Sequence, residues 1–599
     1  MSIAASTSAM HRHPVTLVGL FIGVVLAPLF AYSDLPAPSM YNQLLAIFGF
    51  GLVLIGLSLG GALHAGWRLL DGGSLLLLLL LLITLLSPVT HGAPLSGVLS
   101  CGALLVTAFL TLQAARAVRW EMREDILTMF SLALVLAGLL STVVGAVQFF
   151  QPGWTDDLFI AHTNNEGRAV GNVRQPNQLA SLLLWSCVGA VWLAQSGWLA
   201  RRLGTPRRAV VALGVLLWLL VLGILFSASR TGTIGILLVV IWALVDAVLA
   251  RSGRARLTRS VRIAILLMPV MWGLGWCFVS WWAETHGLAF FGQTRLTTQG
   301  AQSQERLMIL RDTFELVKQY PWAGTGWGQF NFAWTMTPFP HRYTAFVDHT
   351  HNVFLQFVVE LGVPLGAVAS LLLLAAAGLA AWRSVTDRQG AAVCAFMIVL
   401  VIGLHSQSEY PLWYAYFLLP TAFAYGLCVL RNPAERPVRD PKEDTPVQRK
   451  DFALAGVLMV ILVPWAVIDY LTIVHIYSPR PGAAPLVERL AAGDGSPLFD
   501  LHADHAIATV LPPGPLALQA AHKASHRLID ARLMVAWARS LNAAGQTDKA
   551  RYLADRLREF HHPLGDAFFK ECELAEEAHT TLPFQCTPPS RNYLPSEMR

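Results

Sequence analysis

Two histidines separated by one residue occur in the segment Asp348-His349-Thr350-His351-Asn352, directly before an apolar run. An imidazole has an ordinary pKa near 6.5, so it accepts a proton at neutral pH, and a neighbouring carboxylate can orient it. His349 and His351 are therefore candidate general bases, and the sequence leaves open which of them acts. Two other interpretations remain: His-X-His is a common metal-ligand fragment, and histidines can simply cap a helix. No cysteine and no compact carboxylate cluster completes a metal site, so we predict no metal.

Seven arginines lie on the same side of the predicted membrane as the histidine pair, in segments that connect the apolar runs. They are Arg168, Arg174, Arg230, Arg295, Arg306, Arg311 and Arg342. Charges beside hydrocarbon are costly unless they are paired or functional. Guanidinium groups bind phosphate oxygens in a bidentate manner. These cations therefore predict a site for an anionic lipid pyrophosphate.

Three short motifs carry the arginines for which a ligand role is predicted. Arg174 and Gln175 directly precede Pro176, which suits the first turn of a helix, and a helix start favours phosphate. The alternative is an ordinary N-cap. Arg230 lies in Ser-Arg-Thr-Gly between two apolar runs, where it could instead only reach the headgroups. Arg306 and Arg311 are five residues apart and do not share a helix face, so we expect one to be functional and the other solvated.

A carboxylate and a tyrosine occur together in the last short outer segment, Glu409-Tyr410-Pro411-Leu412. Tyrosine at this depth is usually part of the aromatic belt of the membrane interface. Glu409 is harder to explain in this way, because an unpaired carboxylate between two apolar spans is costly. We therefore expect one of the outer arginines to be its partner.

The elements that must position these residues are membrane-spanning helices. The 599 residues are 55% hydrophobic and only 13% charged, with a mean hydropathy of +0.52. Soluble domains average about 25% charged residues. Apolar runs long enough for a bilayer occur thirteen times. They are 15–32, 41–63, 74–88, 95–115, 126–150, 176–196, 208–227, 231–250, 261–283, 352–382, 390–405, 411–430 and 452–477.

The distribution of basic residues predicts the orientation. With the N-terminus inside, the inner loops hold 22 Lys and Arg and the outer loops hold eight. Because cytoplasmic loops retain positive charge, the N-terminus is predicted to be cytoplasmic and the C-terminus outside. No continuous basic stripe is present, so the net charge of +6 does not indicate nucleic-acid binding.

The predicted fold is all-α, with a multispanning domain at 1–477 and an outward helical tail at 478–599. The membrane domain has outer loops at 151–175 and 284–350, and the second contains an amphipathic helix near 303–319. Residues 431–450 are rich in proline and charge and are predicted to be a cytoplasmic linker. In the tail, 528–560 resembles one tetratricopeptide hairpin. Cys572 and Cys586 also lie in the tail, where an oxidising compartment would let them pair.

As a set, the chain resembles the O-antigen ligase superfamily through motifs in the expected order: G-N-V-R-Q-P-N, S-R-T-G, P-W-A-G-T-G-W-G, D-H-T-H-N-V-F-L-Q and E-Y-P-L-W-Y. The Arg-Gln-Pro-Asn and Glu-Tyr-Pro-Leu forms are similar to its protein-glycosylating branch, the PglL-type O-oligosaccharyltransferases. The resemblance implies a multi-pass protein of the bacterial inner membrane with a GT-C-like fold, its active site and tail in the periplasm.

The resemblance also implies a reaction. Such enzymes move a glycan en bloc from undecaprenyl pyrophosphate to an acceptor hydroxyl, without a metal or cofactor. Arg174, Arg230 and Arg306 would hold the pyrophosphate, and His349 or His351 would activate the hydroxyl. The residues expected to position donor or acceptor are Gln175, Gln178, Glu409 and Tyr410.

The predicted acceptor is Ser or Thr of a periplasmic protein such as pilin. The nearest alternatives keep the chemistry and replace this acceptor with the lipid A core or with another repeat unit in a polymerase. A transporter for the lipid-linked glycan is a further alternative, but no internal repeat is evident. A scaffold whose tail recruits partners is another.

Overall fold

Helices form most of the chain in the computed structural model, and the described residues contain no β-strand. The structure describes residues 13–599 except 65–68, 164–166, 289, 294–299, 388, 431–448 and 528, and describes only the backbone of 300–304. Almost all of the predicted linker at 431–450, and Arg295, lie outside the described residues. The all-α architecture that the sequence predicts is confirmed.

Each of the thirteen predicted spans coincides with a helix. Within the described residues, ten helices are long and apolar enough to cross a membrane, and three apolar helices are shorter. The first nine are α1 (Pro14–Leu29), α2 (Met40–Leu59), α3 (Gly72–His91), α4 (Leu95–Arg116), α5 (Arg123–Phe150), α6 (Pro176–Gln195), α7 (Pro206–Phe226), α8 (Arg230–Arg251) and α9 (Met268–Thr285). Two loop helices follow, α10 (Gly300–Gln319) and α11 (Phe330–Met336). The last four spans are α12 (Val353–Thr386), α13 (Ala391–His405), α14 (Ala415–Cys428) and α15 (Lys450–Tyr477). The exact number of crossings, and the orientation, stay predictions.

Helix α6 is the central element of the bundle. Its apolar window is 94% buried, against 28–61% for the other long spans, because α5, α7, α8 and α13 surround it. Its N-terminus lies at the end of the bundle that carries 151–175 and α10, called the outer end after the predicted orientation. The first turn of α6 therefore places its polar residues in the middle of that end.

Helix α12 is kinked near its outer end, and the loop before α11 forms hydrogen bonds with the backbone at the kink. Gly362 has a positive φ of 76° and Pro364 follows it, so the regular backbone hydrogen bonds are lost. The loop supplies replacements: Thr325 N donates to Val359 O (2.8 Å), Gly326 N to Glu360 O (3.0 Å), and Val363 N to Pro321 O (2.7 Å). A Cβ at Gly324 would lie 2.3 Å from the Glu360 carbonyl oxygen, so the glycines of Pro-Trp-Ala-Gly-Thr-Gly-Trp-Gly allow this close approach.

The described residues of the tail form six α-helices: α16 (Leu486–Asp494), α17 (Asp500–Val510), α18 (Pro515–Ala524), α19 (Ala531–Ala543), α20 (Thr547–Arg558) and α21 (Pro563–Glu577). Helices α19 and α20 form the hairpin, and the structure contains the Cys572–Cys586 disulfide. The tail shares one hydrophobic core with α10 and α11, which includes Trp334, Trp537 and Tyr552. The Tyr552 hydroxyl donates to the Met336 carbonyl at 2.6 Å. The tail is thus anchored on the outer loop.

Candidate active site

The two histidines lie in an extended turn that leads into α12. Asn352 caps this helix, because its side chain accepts hydrogen bonds from Phe354 N and Leu355 N. His351 adopts a positive φ of 57°, which bends the chain just before the cap. Val353 N donates to Ser406 O at 3.0 Å, so this turn is tied to the segment that follows α13. The tie brings the histidines next to the Glu409-Tyr410 motif.

Glu409 is the centre of the polar cluster. One carboxylate oxygen lies 3.2 Å from His351 Nδ1, and the other lies 3.4 Å from an Arg306 guanidinium nitrogen. The second oxygen also accepts a hydrogen bond from Asn177 Nδ2 at 3.2 Å. Arg306 is therefore the outer arginine that the sequence requires for Glu409. These contacts join α6, α10, the histidine turn and the segment after α13 at one carboxylate.

The charge state of Glu409 follows from these neighbours. Burial alone would raise its pKa, but the contact with His351 and the positive charge of Arg306 outweigh burial and hold the pKa below its usual value. Glu409 is consequently ionised at neutral pH. An ionised carboxylate can orient an imidazole and stabilise the imidazolium that forms when it takes a proton.

His349 is the more enclosed of the two histidines. Its Nδ1 contacts the Asp348 carboxylate, and its ring packs on Tyr410 with centroids 3.4 Å apart. Burial lowers the pKa of His349, although Asp348 acts in the opposite direction, so the ring is neutral at pH 7. Its Nε2 is buried without a hydrogen-bond partner among the described residues. The His351 ring lies 4.2 Å away and is more accessible, with 24% of its side chain exposed.

Arg230 lies beside this cluster, at the first position of α8. Its neighbour Ser229 caps the helix and donates to Asn177 Oδ1 at 2.6 Å, and Thr231 is 3.3 Å from Ser408. Arg230 is exposed, and within the described part of the chain its guanidinium forms no hydrogen bond or ion pair. Asn177 thus bridges the Ser-Arg-Thr-Gly motif and Glu409.

Arg174 is directed elsewhere. It has a positive φ of 56°, and its guanidinium donates to the Ala31 carbonyl and, at 3.0 Å, to Ser33 Oγ, in the connection between α1 and α2. Asp157 lies 3.8 Å from the same group. The structure therefore brings Arg306 to the histidines, while Arg174 is engaged by neighbouring backbone. Its pyrophosphate role stays a prediction.

The two glutamines have different positions. The Gln175 side chain accepts a hydrogen bond from Gln178 N at 2.6 Å, which is the ordinary N-cap that the sequence left open. Gln178 accepts a hydrogen bond from the Tyr416 hydroxyl at 2.9 Å. From there a line of rings leads to the histidines: Tyr416 to Tyr414 (5.3 Å), Tyr414 to Tyr410 (5.8 Å) and Tyr410 to His349 (3.4 Å) between centroids. Burial raises the pKa of Tyr410, so its phenol stays protonated.

The other outer arginines that the structure describes have structural partners. Arg168 is buried and donates to Ser227 O at 2.9 Å. Arg311 pairs with Asp312 at 2.8 Å and donates to His341 O. Arg342 pairs with Glu559 of the tail at 2.7 Å. These contacts explain why basic residues persist on this side without a ligand.

The structure places a third possible metal ligand beside the histidine pair. Nitrogens of His349 and His351 and an oxygen of Glu409 all lie within 4.8 Å of one another. Imidazole and carboxylate are zinc ligands. However, Arg306 contacts the same carboxylate at 3.4 Å and places a positive charge beside any cation. The absence of a required metal stays a prediction that chelation can test.

Sequence reasoning missed the bridging role of Asn177. It lies within the Arg-Gln-Pro-Asn motif, but nothing local indicates that its amide joins Ser229 to Glu409. The sequence did predict that the Glu409 carboxylate has a positively charged partner. Only the fold shows that its partners are Arg306 and His351, 103 and 58 residues away along the chain.

Three family models match consecutive parts of the chain. The model described as "Protein glycosylation ligase" matches 169–194, "O-Antigen ligase" matches 215–370, and "Virulence factor membrane-bound polymerase, C-terminal" matches 393–569. Over these residues the chain is similar to the O-antigen ligase superfamily. The three matches contain Arg174, Arg230, Arg306, both histidines and Glu409, so the polar cluster is assembled from the regions on which the superfamily models are built.

Two relatives carry names that specify protein glycosylation. A "General O-oligosaccharyltransferase" of Acinetobacter baylyi is 27% identical over 332 residues, which is 52% of either chain. A "ComP-specific O-oligosaccharyltransferase" of the same species is 23% identical over 279 residues, 46% of either chain. The chain thus aligns with about half the length of these relatives. Among superfamily members, it is similar to the protein-glycosylating ones.

Proposed function

We propose that this chain is an O-oligosaccharyltransferase that moves a glycan en bloc from undecaprenyl pyrophosphate to a Ser or Thr hydroxyl of an exported protein. One observation carries the proposal: Glu409 contacts both His351 and Arg306. A group that can take a proton and a cation that can neutralise a phosphate thereby lie on either side of one carboxylate. Glycosyl transfer from a pyrophosphate to a hydroxyl is accelerated by both functions, a base for the hydroxyl and a cation for the leaving group.

Within this proposal His351 is the general base. Its Nδ1 faces Glu409, which leaves Nε2 for the acceptor, and its ring is more accessible than that of His349. His349 is a positioning residue, since it packs between the His351 ring and Tyr410. A buried Nε2 suits support rather than proton transfer.

The reaction then has one bond formed and one broken. The acceptor oxygen attacks the anomeric carbon of the glycan as His351 takes the hydroxyl proton. The bond between that carbon and the phosphate oxygen breaks, and its electron pair leaves with undecaprenyl pyrophosphate. Arg306 exchanges its contact with Glu409 for the departing phosphate, and the exposed Arg230 adds a second cation. Such charge stabilisation contributes about 10²–10³-fold in rate for a single donor group.

The acceptor could also be a glycolipid, since two of the three family models are described as a ligase of O-antigen and a polymerase. In that alternative the same cluster transfers the glycan to the lipid A core or to another repeat unit. The names of the two Acinetobacter relatives favour a protein acceptor, pilin being the predicted type.

The test is transfer in vitro by the purified full-length chain. Undecaprenyl-linked glycan with a fluorescent label is offered with pilin, with lipid A core, or alone, each with and without a chelator. Label on pilin, unaffected by the chelator, is expected. Label on lipid A core or elongation of the donor alone would replace the protein acceptor with the alternative. Loss of transfer on chelation, restored by zinc, would assign the His349, His351 and Glu409 cluster to a metal instead.

A further inference from the structure

The segment 337–347, which leads into the histidine turn (348–352), is packed against the tail. Phe346 lies three residues before His349 in the sequence. Its ring stacks on the ring of Phe560, with centroids 4.1 Å apart and planes inclined by only 10°. Phe560 follows α20 and is 1% exposed. The guanidinium of Arg342 lies 4.5 Å from the centroid of the same ring. A single tail ring therefore contacts two side chains of the segment 337–347.

A buried ion pair adds to this contact. The Arg342 side chain is 1% exposed, and one of its nitrogens lies 2.7 Å from a carboxylate oxygen of Glu559 in the tail. Separating the segment from the tail would leave this buried guanidinium without its carboxylate, which is costly. At the start of the segment, the Tyr552 hydroxyl of α20 donates to Met336 O at 2.6 Å. The segment 337–347 and the tail are thus held together along the length of the segment.

A buried amide links the tail to the residue directly before the histidine turn. Asn331 of α11 is 6% exposed, and its Oδ1 accepts a hydrogen bond from Ile529 N of the tail at 2.9 Å. Its Nδ2 donates to Val347 O at 3.1 Å. One half of the amide is therefore used by the tail and the other by the backbone next to Asp348.

The other end of the histidine turn is fixed by membrane helices. Thr350 N donates to Gln356 Oε1 of α12 at 2.8 Å, and Val353 N is bonded to the segment after α13. Between these anchors and those of the tail, the turn places His351 Nδ1 3.2 Å from Glu409. His351 has a positive φ of 57°, which a residue with a side chain adopts only where surrounding contacts maintain it.

We propose that Phe560 is a positioning residue for the general base, so that the tail takes part in glycan transfer through the histidine turn. The inference rests on the function proposed above. The stack on Phe346 keeps the segment 337–347 on the tail, and the segment keeps the turn where His351 meets Glu409. A misplacement of about 1 Å at a reacting group can cost about 10²-fold in rate. Loss of the stack therefore affects the chemical step rather than donor binding.

The test is Phe560→Leu in the full-length chain, which keeps an apolar side chain but removes the flat ring. Measured quantities are kcat, the KM for the lipid donor, and hydrogen–deuterium exchange of a peptide covering 346–353. We expect kcat to fall about tenfold or more, KM to change less than about twofold, and the turn amides to exchange about tenfold faster. Phe346→Leu should give the same changes. The double variant should be no worse than either single variant, because both substitutions remove the same stack.

The matched control is Phe568→Leu. Phe568 is also a buried ring of the tail, 3% exposed, and it packs on Phe569 and Phe584 of the tail itself. This substitution should leave kcat and the exchange of the turn near their wild-type values. An equal loss of kcat in Phe568→Leu would overturn the proposal, since the tail would then act only through its general stability.

Three other outcomes would also overturn the proposal: unchanged exchange of the turn in Phe560→Leu, faster exchange with unchanged kcat, and a raised KM for the donor with unchanged kcat. Exchange requires no substrate, so it separates this inference from the proposed function. If wild type transfers glycan to no acceptor, faster exchange in Phe560→Leu but not in Phe568→Leu still supports the role of the stack. Equal exchange in the two variants rejects it.

Discussion

Two arginine–carboxylate pairs at the inner end of the bundle differ in environment from the pair of Arg306 and Glu409 at the outer end. At the inner end Arg123 lies 3.2 Å from Asp387 with side chains only 2% and 6% exposed, and Arg262 lies 2.9 Å from Asp246 with 14% and 4% exposed. At the outer end Arg306 is 48% exposed although it contacts Glu409. A buried pair cannot exchange partners without a large desolvation cost, whereas an exposed one can. The inner arginines therefore stabilise the fold, and the outer cluster remains able to bind an anionic ligand.

The largest loss of activity is expected from a substitution of His351. Replacing it with Gln should lower kcat about 10²–10⁴-fold, because that is the usual contribution of a general base. Transfer of labelled glycan measures the effect, and thermal unfolding shows that the fold survives. His286→Gln is the control, since His286 is exposed and stacks on Trp282. Full activity of the His351 variant would move the base to His349 or remove it from the mechanism.

Arg306 and Arg311 test the comparison on a single helix. Arg306→Gln should lower kcat/KM about 10²–10³-fold, because a cation at the departing pyrophosphate is lost. Arg311→Gln should change it less than about threefold, since Arg311 pairs with Asp312 and His341 O. Steady-state rates with varied lipid donor measure both. Equal losses in the two variants would mean that α10 acts through its packing rather than through Arg306.

Substitution of a buried pair at the inner end should lower the stability of the fold rather than the activity. Asp387→Asn leaves the Arg123 charge buried without its carboxylate, which typically costs about 3–5 kcal/mol. The thermal midpoint in detergent should fall, while kcat per folded molecule stays near that of wild type. Adding Arg123→Gln should recover part of the loss, because the unpaired charge is then removed as well. A lowered kcat with an unchanged midpoint would contradict the separation of the two ends.

The smallest expected effect is a pH dependence of stability from His349. Burial lowers its folded pKa, so the unfolded chain takes up the proton first. Its contribution is therefore complete above the ordinary histidine pKa of about 6.5 and is lost as pH falls below it. His349→Gln should reduce the difference between thermal midpoints at pH 7.5 and pH 5.5. Only part of the difference should disappear, because burial also lowers the pKa values of His502, His522 and His526 in the tail. An unchanged difference would mean that His349 does not titrate there.

The helical architecture was predictable from the sequence because each span is a local property. A run such as 126–150 is apolar over its whole length, and α5 follows it without help from distant residues. The same holds for α10, where apolar residues at helical spacing and the glycines after Pro321 define the helix and its end. The need for a counter-charge at Glu409 was also local, because it depends only on the apolar spans that flank it.

The site was less predictable, because its residues come from separate loops. How close these loops lie in space does not follow from how far apart they are in the sequence. Arg174 and Arg306 look alike as outer arginines, yet the connection after α1 binds the first and Glu409 contacts the second. Gln175 was a candidate ligand by its motif and is a helix cap in the structure.

The sequence by itself determines that this protein forms apolar helices with an unusual set of cations and histidines between them, because hydropathy and charge are properties of each segment. Which of those groups meet was decided by the tertiary structure. The packing of α12 against α13, and the hydrogen bond between Val353 and Ser406, bring His351 to Glu409. That contact depends on helix ends meeting in three dimensions, which no single segment specifies.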